Sequence, residues 1–105
     1  WATWCGPCIR AMPKLESLSR RFAGELEVIA VNLDDAAKAR AMFDEGGYRM
    51  TLVSDDGQVS TRYGVSTIPH SVVIDREGIV RTVYRGGSSK LTADVEAIIA
   101  EKIRK

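Results

Sequence analysis

The two cysteines of the chain, Cys5 and Cys8, constrain its fold and chemistry most strongly because only Gly6 and Pro7 separate them. A structural disulfide stabilises a protein mainly by closing a long loop in the unfolded chain, and a loop with two intervening residues gains little in this way. The chain has no other cysteine that could pair with either of them. The spacing therefore favours a reactive pair over a structural cross-link.

The residues that follow the pair predict a helix that begins at the cysteines. Apolar side chains recur at steps of three and four residues, the pattern of one helical face; they are Cys8, Met12, Leu15, Leu18 and Phe22. Pro7 suits a first helical turn, whereas Pro13 predicts a kink or a missing hydrogen bond. The unpaired N–H groups and the dipole of a helix N-terminus both stabilise a thiolate. We therefore expect Cys5 to be the nucleophile and Cys8, one turn along, to form a disulfide with it.

Length and charge limit the classes of protein to consider. The 105 residues are 45% hydrophobic and 28% charged, which fits one domain with one core. The net charge of +1 offers no electrostatic footprint for nucleic acid or an anionic membrane. No run of eighteen apolar residues is present to span a bilayer. The basic residues of the first helix are expected to form its solvated face; they are Arg10, Lys14, Arg20 and Arg21.

The rest of the chain alternates between strand and helix patterns, which predicts an α/β layer sandwich. Strands are predicted over 28–33, 50–53, 71–74 and 79–84, and helices over 36–45 and 58–63. A last helix carries one apolar stripe, made of Leu91, Val95, Ile98, Ile99 and Ile103. The strand over 28–33 is expected to be buried on both faces, Asp34 and Asp35 to cap the next helix, and Gly78 to adopt a positive φ in a hairpin turn.

The segment Trp1–Cys8 together with Met12 and Pro13 resembles the active site of the thioredoxin superfamily, and more narrowly its TlpA/ResA-like branch of bacterial thiol-disulfide oxidoreductases. The separation of sixty-four residues from Cys5 to Pro69 leaves room for the helix and strand that this branch inserts before its cis-proline. The resemblance implies a thioredoxin-like three-layer sandwich, a mixed sheet with flanking helices, formed by residues 1–105 as one domain.

The resemblance also implies roles for individual residues. Cys5 would attack the substrate, Cys8 would resolve the mixed disulfide, and Trp4 would pack beside them. Pro69 would be a cis-proline that faces the cysteines, and the backbone of Ile68 would pair with substrate like a neighbouring strand. The supporting residues implied in this way are Trp4, Gly6, Pro7, Ile68 and Pro69.

The expected function is therefore reduction of protein disulfides by a Cys-Gly-Pro-Cys couple, with no cofactor beyond the Cys5–Cys8 disulfide and no metal. The uncharged Gly6 and Pro7 favour a reducing couple. The implied partners are a disulfide-containing protein substrate and an upstream thiol reductant, such as a membrane thiol-disulfide carrier, with no nucleic acid. The branch further implies a monomer outside the bacterial cytoplasm, with cytochrome c maturation as a candidate process.

Two positions depart from the branch, and two other functions stay open. Ala11 stands where many members have Glu, and His70 stands where Thr often follows the cis-proline. His70 is either a structural histidine or a modulator of Cys5 or of a partner. A thiol peroxidase of the same fold would use Cys5, although the residues before it lack the usual Pro and Thr arrangement. A copper-binding module would need Cys5, Cys8 and His70 to converge.

The N-terminal residues carry one more expectation. In the thioredoxin superfamily the strand that leads into the cysteine motif is the centre of the sheet, flanked here by the segments 28–32 and 71–75. Trp1–Thr3 would be only the last residues of that strand. We therefore expect a central strand that is mostly absent from these 105 residues, and a longer natural protein.

Overall fold

The computed structural model describes residues 1–103, with side chains for residues 1–101. The helices in this part are α1 (Gly6–Arg21), α2 (Ala36–Gly46), α3 (Gln58–Arg62) and α4 (Leu91–Ile103). The strands are β1 (Ile29–Asn32), β2 (Thr51–Ser54), β3 (His70–Ile74) and β4 (Val80–Arg85). Each predicted element is thus present. The prediction that Ile103 belongs to the apolar stripe of the last helix concerns a side chain outside the described ones. No helix among these residues is both long and apolar enough to cross a bilayer.

The described strands form two two-stranded sheets, which agrees with the expected mixed sheet that lacks most of its central strand. β1 and β2 pair in parallel, and β3 and β4 pair antiparallel. The backbone nitrogen of Trp1 donates to the Val31 carbonyl at 3.0 Å, and Leu33 N–H donates to the Trp1 carbonyl at 2.9 Å. The Asn32 carbonyl accepts from Asp55 beyond β2. Because alternate residues of a strand bond to opposite sides, Trp1 lies along the edge of β1 that β2 does not use, as predicted for the strand before the motif.

The predicted hairpin is confirmed as β3–β4. Its turn is closed by the Asp75 carboxylate, which accepts the N–H groups of Glu77 and Ile79 at 2.9 and 3.0 Å. Gly78 has φ +80°, a conformation that residues with a side chain rarely adopt. The two strands run antiparallel, so the end of β4 lies beside the start of β3. There the Gly86 N–H donates to the Pro69 carbonyl at 2.7 Å.

An aromatic stack fills the core beside β1. Trp1 stacks on Phe43 of α2 with ring centroids 5.6 Å apart, and Tyr48 meets the same ring edge-on at 5.3 Å. Trp1 is therefore a packing aromatic. The expectation that this strand is buried on both faces is wrong at Ile29, which is 56% exposed while Ala30 is buried. The side chains of successive strand residues point to opposite faces, and the described residues cover mainly the face of Ala30.

Helix α1 is fixed to the rest of the molecule through Glu16, one of its buried residues. One Glu16 carboxylate oxygen accepts the N–H groups of Arg49 and Met50 at 2.9 and 3.1 Å, and the other accepts from Arg20 at 2.6 Å. Burial alone would raise the pKa of Glu16, but these hydrogen bonds and the Arg20 charge lower it below its ordinary value. The helix runs on through Pro13 to its end at Arg21.

Candidate active site

The cysteine pair lies at the N-terminus of α1, where the sequence places it. Cys5 is the N-cap residue, and its sulfur accepts the N–H of Cys8 at 3.2 Å. The two residues form a disulfide with their Cα atoms 5.3 Å apart. A sulfur in this position receives one of the helix N–H groups that have no carbonyl partner within the helix. The same hydrogen bond stabilises a negative charge on Cys5 once the disulfide is reduced.

A tight turn joins the β1 edge to the cysteine motif. Cys5 N–H donates to the Ala2 carbonyl at 3.0 Å, so Thr3 and Trp4 occupy the two central positions of the turn. Trp4 is 72% exposed there, whereas Cys5 is 4% exposed. The turn therefore leaves Trp4 largely in solvent, next in sequence to the nearly buried Cys5.

The turn is held by Asp34, which the sequence assigns only as a helix cap. One Asp34 oxygen accepts the Thr3 hydroxyl at 2.6 Å, and the other accepts the Thr3 N–H and the Asn32 side-chain amide at 3.0 and 2.9 Å. The Thr3 hydroxyl contributes most to a pKa of Asp34 that lies well below the ordinary range. The cap of α2 is Asp35 alone, whose carboxylate accepts Lys38 N–H at 3.0 Å.

The loop before β3 lies against the cysteines. Ile68 packs on the buried cluster formed by Ala2, Cys5 and Cys8. The Ile68–Pro69 peptide bond is cis, as the resemblance implies. The cysteine motif and the loop that contains Pro69 are thus in contact, as predicted. The contact is made by Ile68.

Gly6 and Arg10 form a second contact at the motif. The ideal Cβ position on Gly6 lies 3.2 Å from a terminal nitrogen of the Arg10 guanidinium, so the cation rests against the backbone of the motif. Arg20, in contrast, bonds to Glu16 and to the Gly47 carbonyl. All four basic residues are exposed, as expected of the solvated face of α1, although Arg10 and Arg20 also contact other parts of the chain. Helical spacing of four residues is the sequence signal that could have suggested the Gly6–Arg10 contact.

His70 follows the cis-proline as the first residue of β3. Both of its ring nitrogens are buried, and neither has a hydrogen-bond partner within the described part of the chain. Among those residues His70 does not join Cys5 and Cys8 in a group of three side chains that could hold a metal ion. The convergence required by the copper-binding alternative is thus not formed here.

Comparison with known proteins assigns the class. Residues 1–83 match the AhpC/TSA family, and this chain belongs to it. The fold is thioredoxin-like, with a cysteine pair at the start of a helix and a cis peptide bond that joins Ile68, which packs on that pair, to Pro69.

The relatives of this chain are named as thioredoxin-like proteins or thiol-disulfide oxidoreductases. The thioredoxin-like protein YneN of Bacillus subtilis is 32% identical over 94 residues, which are 86% of this chain and 55% of that protein. The thiol-disulfide oxidoreductase ResA of Halalkalibacterium halodurans is 32% identical over 93 residues, 86% of this chain and 53% of ResA. The chain thus spans about half the length of the curated relatives it matches.

Solved structures support the fold. A Chlorobium tepidum protein described as a thiol:disulfide interchange protein DsbE superposes with a TM-score of 0.83 at 31% identity, over 96% of this chain and 74% of that one. A secreted Mycobacterium tuberculosis disulfide oxidoreductase superposes with a TM-score of 0.78 at 18% identity, over 96% and 76% of the two chains. At that lower identity the second comparison supports the fold alone.

Proposed function

We propose that the protein is a thiol-disulfide oxidoreductase that reduces disulfides in protein substrates through Cys5 and Cys8. The observation that carries the proposal is the Cys5–Cys8 disulfide at the N-cap of α1, with the Cys5 sulfur already accepting a helix N–H. The names of the relatives agree with this activity.

The reaction consists of two successive thiol–disulfide exchange steps. The Cys5 thiolate attacks one sulfur of the substrate disulfide, forms a mixed disulfide and releases one substrate thiolate. The Cys8 thiolate then attacks the Cys5 sulfur, forms the Cys5–Cys8 bond and releases the second substrate thiolate. Two electrons pass to the substrate, whose thiolates take up two protons. An upstream dithiol reductant then reduces the Cys5–Cys8 disulfide by a further exchange, which restores the dithiol and leaves the reductant as a disulfide.

The two cysteines differ in what surrounds them, which supports their separate roles. The Cys5 sulfur accepts the N–H of Cys8, so the helix N-terminus stabilises the thiolate that must attack and later leave. Cys8 lies within the first helical turn and is disulfide-bonded to Cys5, which places it to attack the Cys5 sulfur of a mixed disulfide. We therefore assign Cys5 as the nucleophile and Cys8 as the resolving cysteine.

The surrounding residues support a place for the substrate. Trp4, the neighbour of Cys5 in sequence, has an exposed aromatic side chain. Ile68, the residue before the cis-proline, packs on the cysteine cluster. We propose that the Ile68 backbone pairs with an extended substrate segment, with Pro69 next to it. Gly6 and Pro7 form the first turn that carries the pair.

The setting that fits this activity is extracytoplasmic, where protein disulfides form and persist. A membrane thiol-disulfide carrier is the donor we propose, and a monomer is the working form. The Cys-X-X-Cys-His segment of an apocytochrome c, oxidised to a disulfide, is the candidate substrate if the process is cytochrome c maturation.

The test is an insulin-reduction assay with dithiothreitol as the electron source, carried out on the intact wild-type protein and on Cys5→Ser and Cys8→Ser variants. We expect Cys5→Ser to lose activity to the uncatalysed rate. We expect Cys8→Ser to accumulate a covalent mixed disulfide that mass spectrometry detects. Equal activity in wild type and Cys5→Ser would refute the proposal. A parallel assay with hydrogen peroxide tests the thiol peroxidase alternative, which requires peroxide turnover faster than insulin reduction.

A further inference from the structure

The outer face of α1 carries positive charge that begins at the cysteine motif. Its exposed cations are Arg10, Lys14, Arg20 and Arg21. Two of them are neutralised by ion pairs, Arg20 with Glu16 at 2.6 Å and Arg21 with Glu96 at 2.5 Å. Within the described part of the chain, no ion pair involves Arg10 or Lys14. These two unpaired cations lie one turn apart, and the first of them rests against Gly6 of the motif.

Negative charge near the motif is already engaged. The segment 1–15 contains no Asp or Glu, and the loop 65–69 contains no charged residue. The carboxylate that reaches this region is that of Asp34, whose two oxygens are taken by the Thr3 hydroxyl, the Thr3 N–H and the Asn32 amide. These donors are neutral, so Asp34 keeps its negative charge, but its carboxylate is bonded to Thr3 and Asn32 and forms no described ion pair with Arg10 or Lys14.

We propose that Arg10 is a specificity residue that binds an acidic side chain, Asp or Glu, next to the disulfide of the protein substrate. This inference rests on the proposed function. Arg10 suits the role because its guanidinium is exposed, lacks an ion-pair partner among the described residues and lies beside the residue that directly follows the nucleophile. A guanidinium also binds a carboxylate through two parallel hydrogen bonds, which fixes orientation as well as charge.

Gly6 makes this placement of the cation available. A Cβ on residue 6 would lie 3.2 Å from the Arg10 guanidinium, closer than most such contacts, so a side chain there would push the guanidinium slightly away from the motif. The glycine of the motif thus leaves room on the surface for a cation supplied from one turn further along α1. Lys14 lies a further turn away and extends the positive surface with decreasing influence on the reacting sulfur.

The test uses three disulfide-bridged peptides that are identical except for two flanking residues, which are Glu, Ser or Lys. For the wild-type intact protein at low salt we expect kcat/KM to be about 3–10-fold higher for the Glu peptide than for the Lys peptide. This ratio is expected to shrink as salt is added. Arg10→Glu is expected to invert the ratio, mainly through KM, while Arg10→Lys keeps its direction.

Two further charge-reversal variants test how the effect depends on the distance of the charge from the cysteine motif. Lys14→Glu is expected to shift the ratio in the same direction but less than Arg10→Glu. Arg76→Glu is the matched control, because Arg76 is an exposed cation in the β3–β4 turn, at the end of β3 opposite to Pro69 and roughly 20 Å of strand away. It changes the net charge equally and is expected to leave the ratio unchanged.

The outcomes separate this inference from the function it rests on. If the wild type reduces all three peptides at equal rates, or if Arg10→Glu and Arg76→Glu shift the ratio equally, the specificity role is wrong and the oxidoreductase function stands. If the wild type reduces none of the peptides and no insulin, the proposed function fails. Circular dichroism and thermal unfolding of each variant confirm that a changed ratio does not come from a changed fold.

Discussion

Asp34 and Thr3 are joined by two hydrogen bonds, from the Thr3 hydroxyl and from the Thr3 N–H, although 31 positions separate them in the sequence. Thr3 is a central residue of the turn that ends at Cys5. The contact therefore ties the end of β1 to the loop that positions the nucleophile. The Asp34 carboxylate therefore helps to position the Cys5 sulfur, although no described contact joins the two.

Substitution of Asp34 by Ala is expected to slow disulfide reduction and to lower the denaturant midpoint, because both Thr3 hydrogen bonds are lost. The matched control is Asp35→Ala, which removes only the α2 cap and costs about 1 kcal/mol of stability. Insulin reduction and urea unfolding of the two variants provide the comparison. A rate that falls equally in both variants would mean that the turn does not depend on Asp34.

Glu16 predicts a specific loss of stability in acid. Its folded-state pKa is lowered, so the stability it contributes is present above the unfolded value of about 4.3 and is lost as the pH falls through the folded value. Glu16→Gln is expected to cost about 1–3 kcal/mol at pH 7, because a buried, charge-assisted network is weakened. Urea unfolding at pH 7 and pH 3 should show the gap between wild type and variant narrowing in acid.

The control for this experiment is Glu45→Gln, which removes an exposed acid near the end of α2. Surface substitutions of this kind usually change stability by less than about 0.5 kcal/mol. A gap between wild type and Glu16→Gln that stays constant from pH 7 to pH 3 would show that the carboxylate charge of Glu16 does not support the fold.

His70→Phe is expected to leave the free energy of unfolding unchanged or to raise it. Both ring nitrogens are buried without a partner among the described residues, and a buried unsatisfied polar group costs about 1–3 kcal/mol. A phenyl ring keeps the planar shape without that cost. Guanidinium unfolding measures the effect, and a destabilisation above about 1 kcal/mol would reveal a hydrogen bond made by His70 in the folded protein.

Gly46→Ala is expected to destabilise the protein even though alanine favours a helix by about 1 kcal/mol over glycine. A Cβ at Gly46 would lie 2.7 Å from the Tyr48 ring, which packs edge-on against Phe43. The ring would have to leave that contact. Thermal unfolding of Gly46→Ala, alone and together with Tyr48→Leu, tests the reason, because the alanine should become stabilising once the ring is gone.

The elements of the fold follow closely from the sequence because they depend on local periodicity. The ends of the helix over 58–63 and of both strands of the hairpin around Gly78 are predicted to within about one residue of those observed. The N-cap position of Cys5 also follows from the sequence, because a helix N-terminus is defined by neighbouring residues. The cis bond at Pro69 came from the family resemblance, since only a small fraction of proline bonds are cis.

The sequence could not predict contacts between distant residues. Asp34 looks like a helix cap beside Asp35, and nothing in its spacing points to Thr3 on another segment. Glu16 lies on a basic helix and reads as a solvated acid, yet it binds the backbone that leads into β2. Exposure of Ile29 was missed because an apolar run does not show which face of a strand another layer covers.

The attachment of α1 has a consequence for how partners recognise the redox state. The helix is held near its middle by Glu16 and at its far end by the pair of Arg21 with Glu96, while the disulfide occupies only its first turn. Making or breaking one sulfur–sulfur bond is therefore expected to change the chemistry of a small surface without moving the helix. The electron donor and the substrate proposed above would then meet the same rigid surface, and the oxidised and reduced proteins would differ there only at the two sulfur atoms.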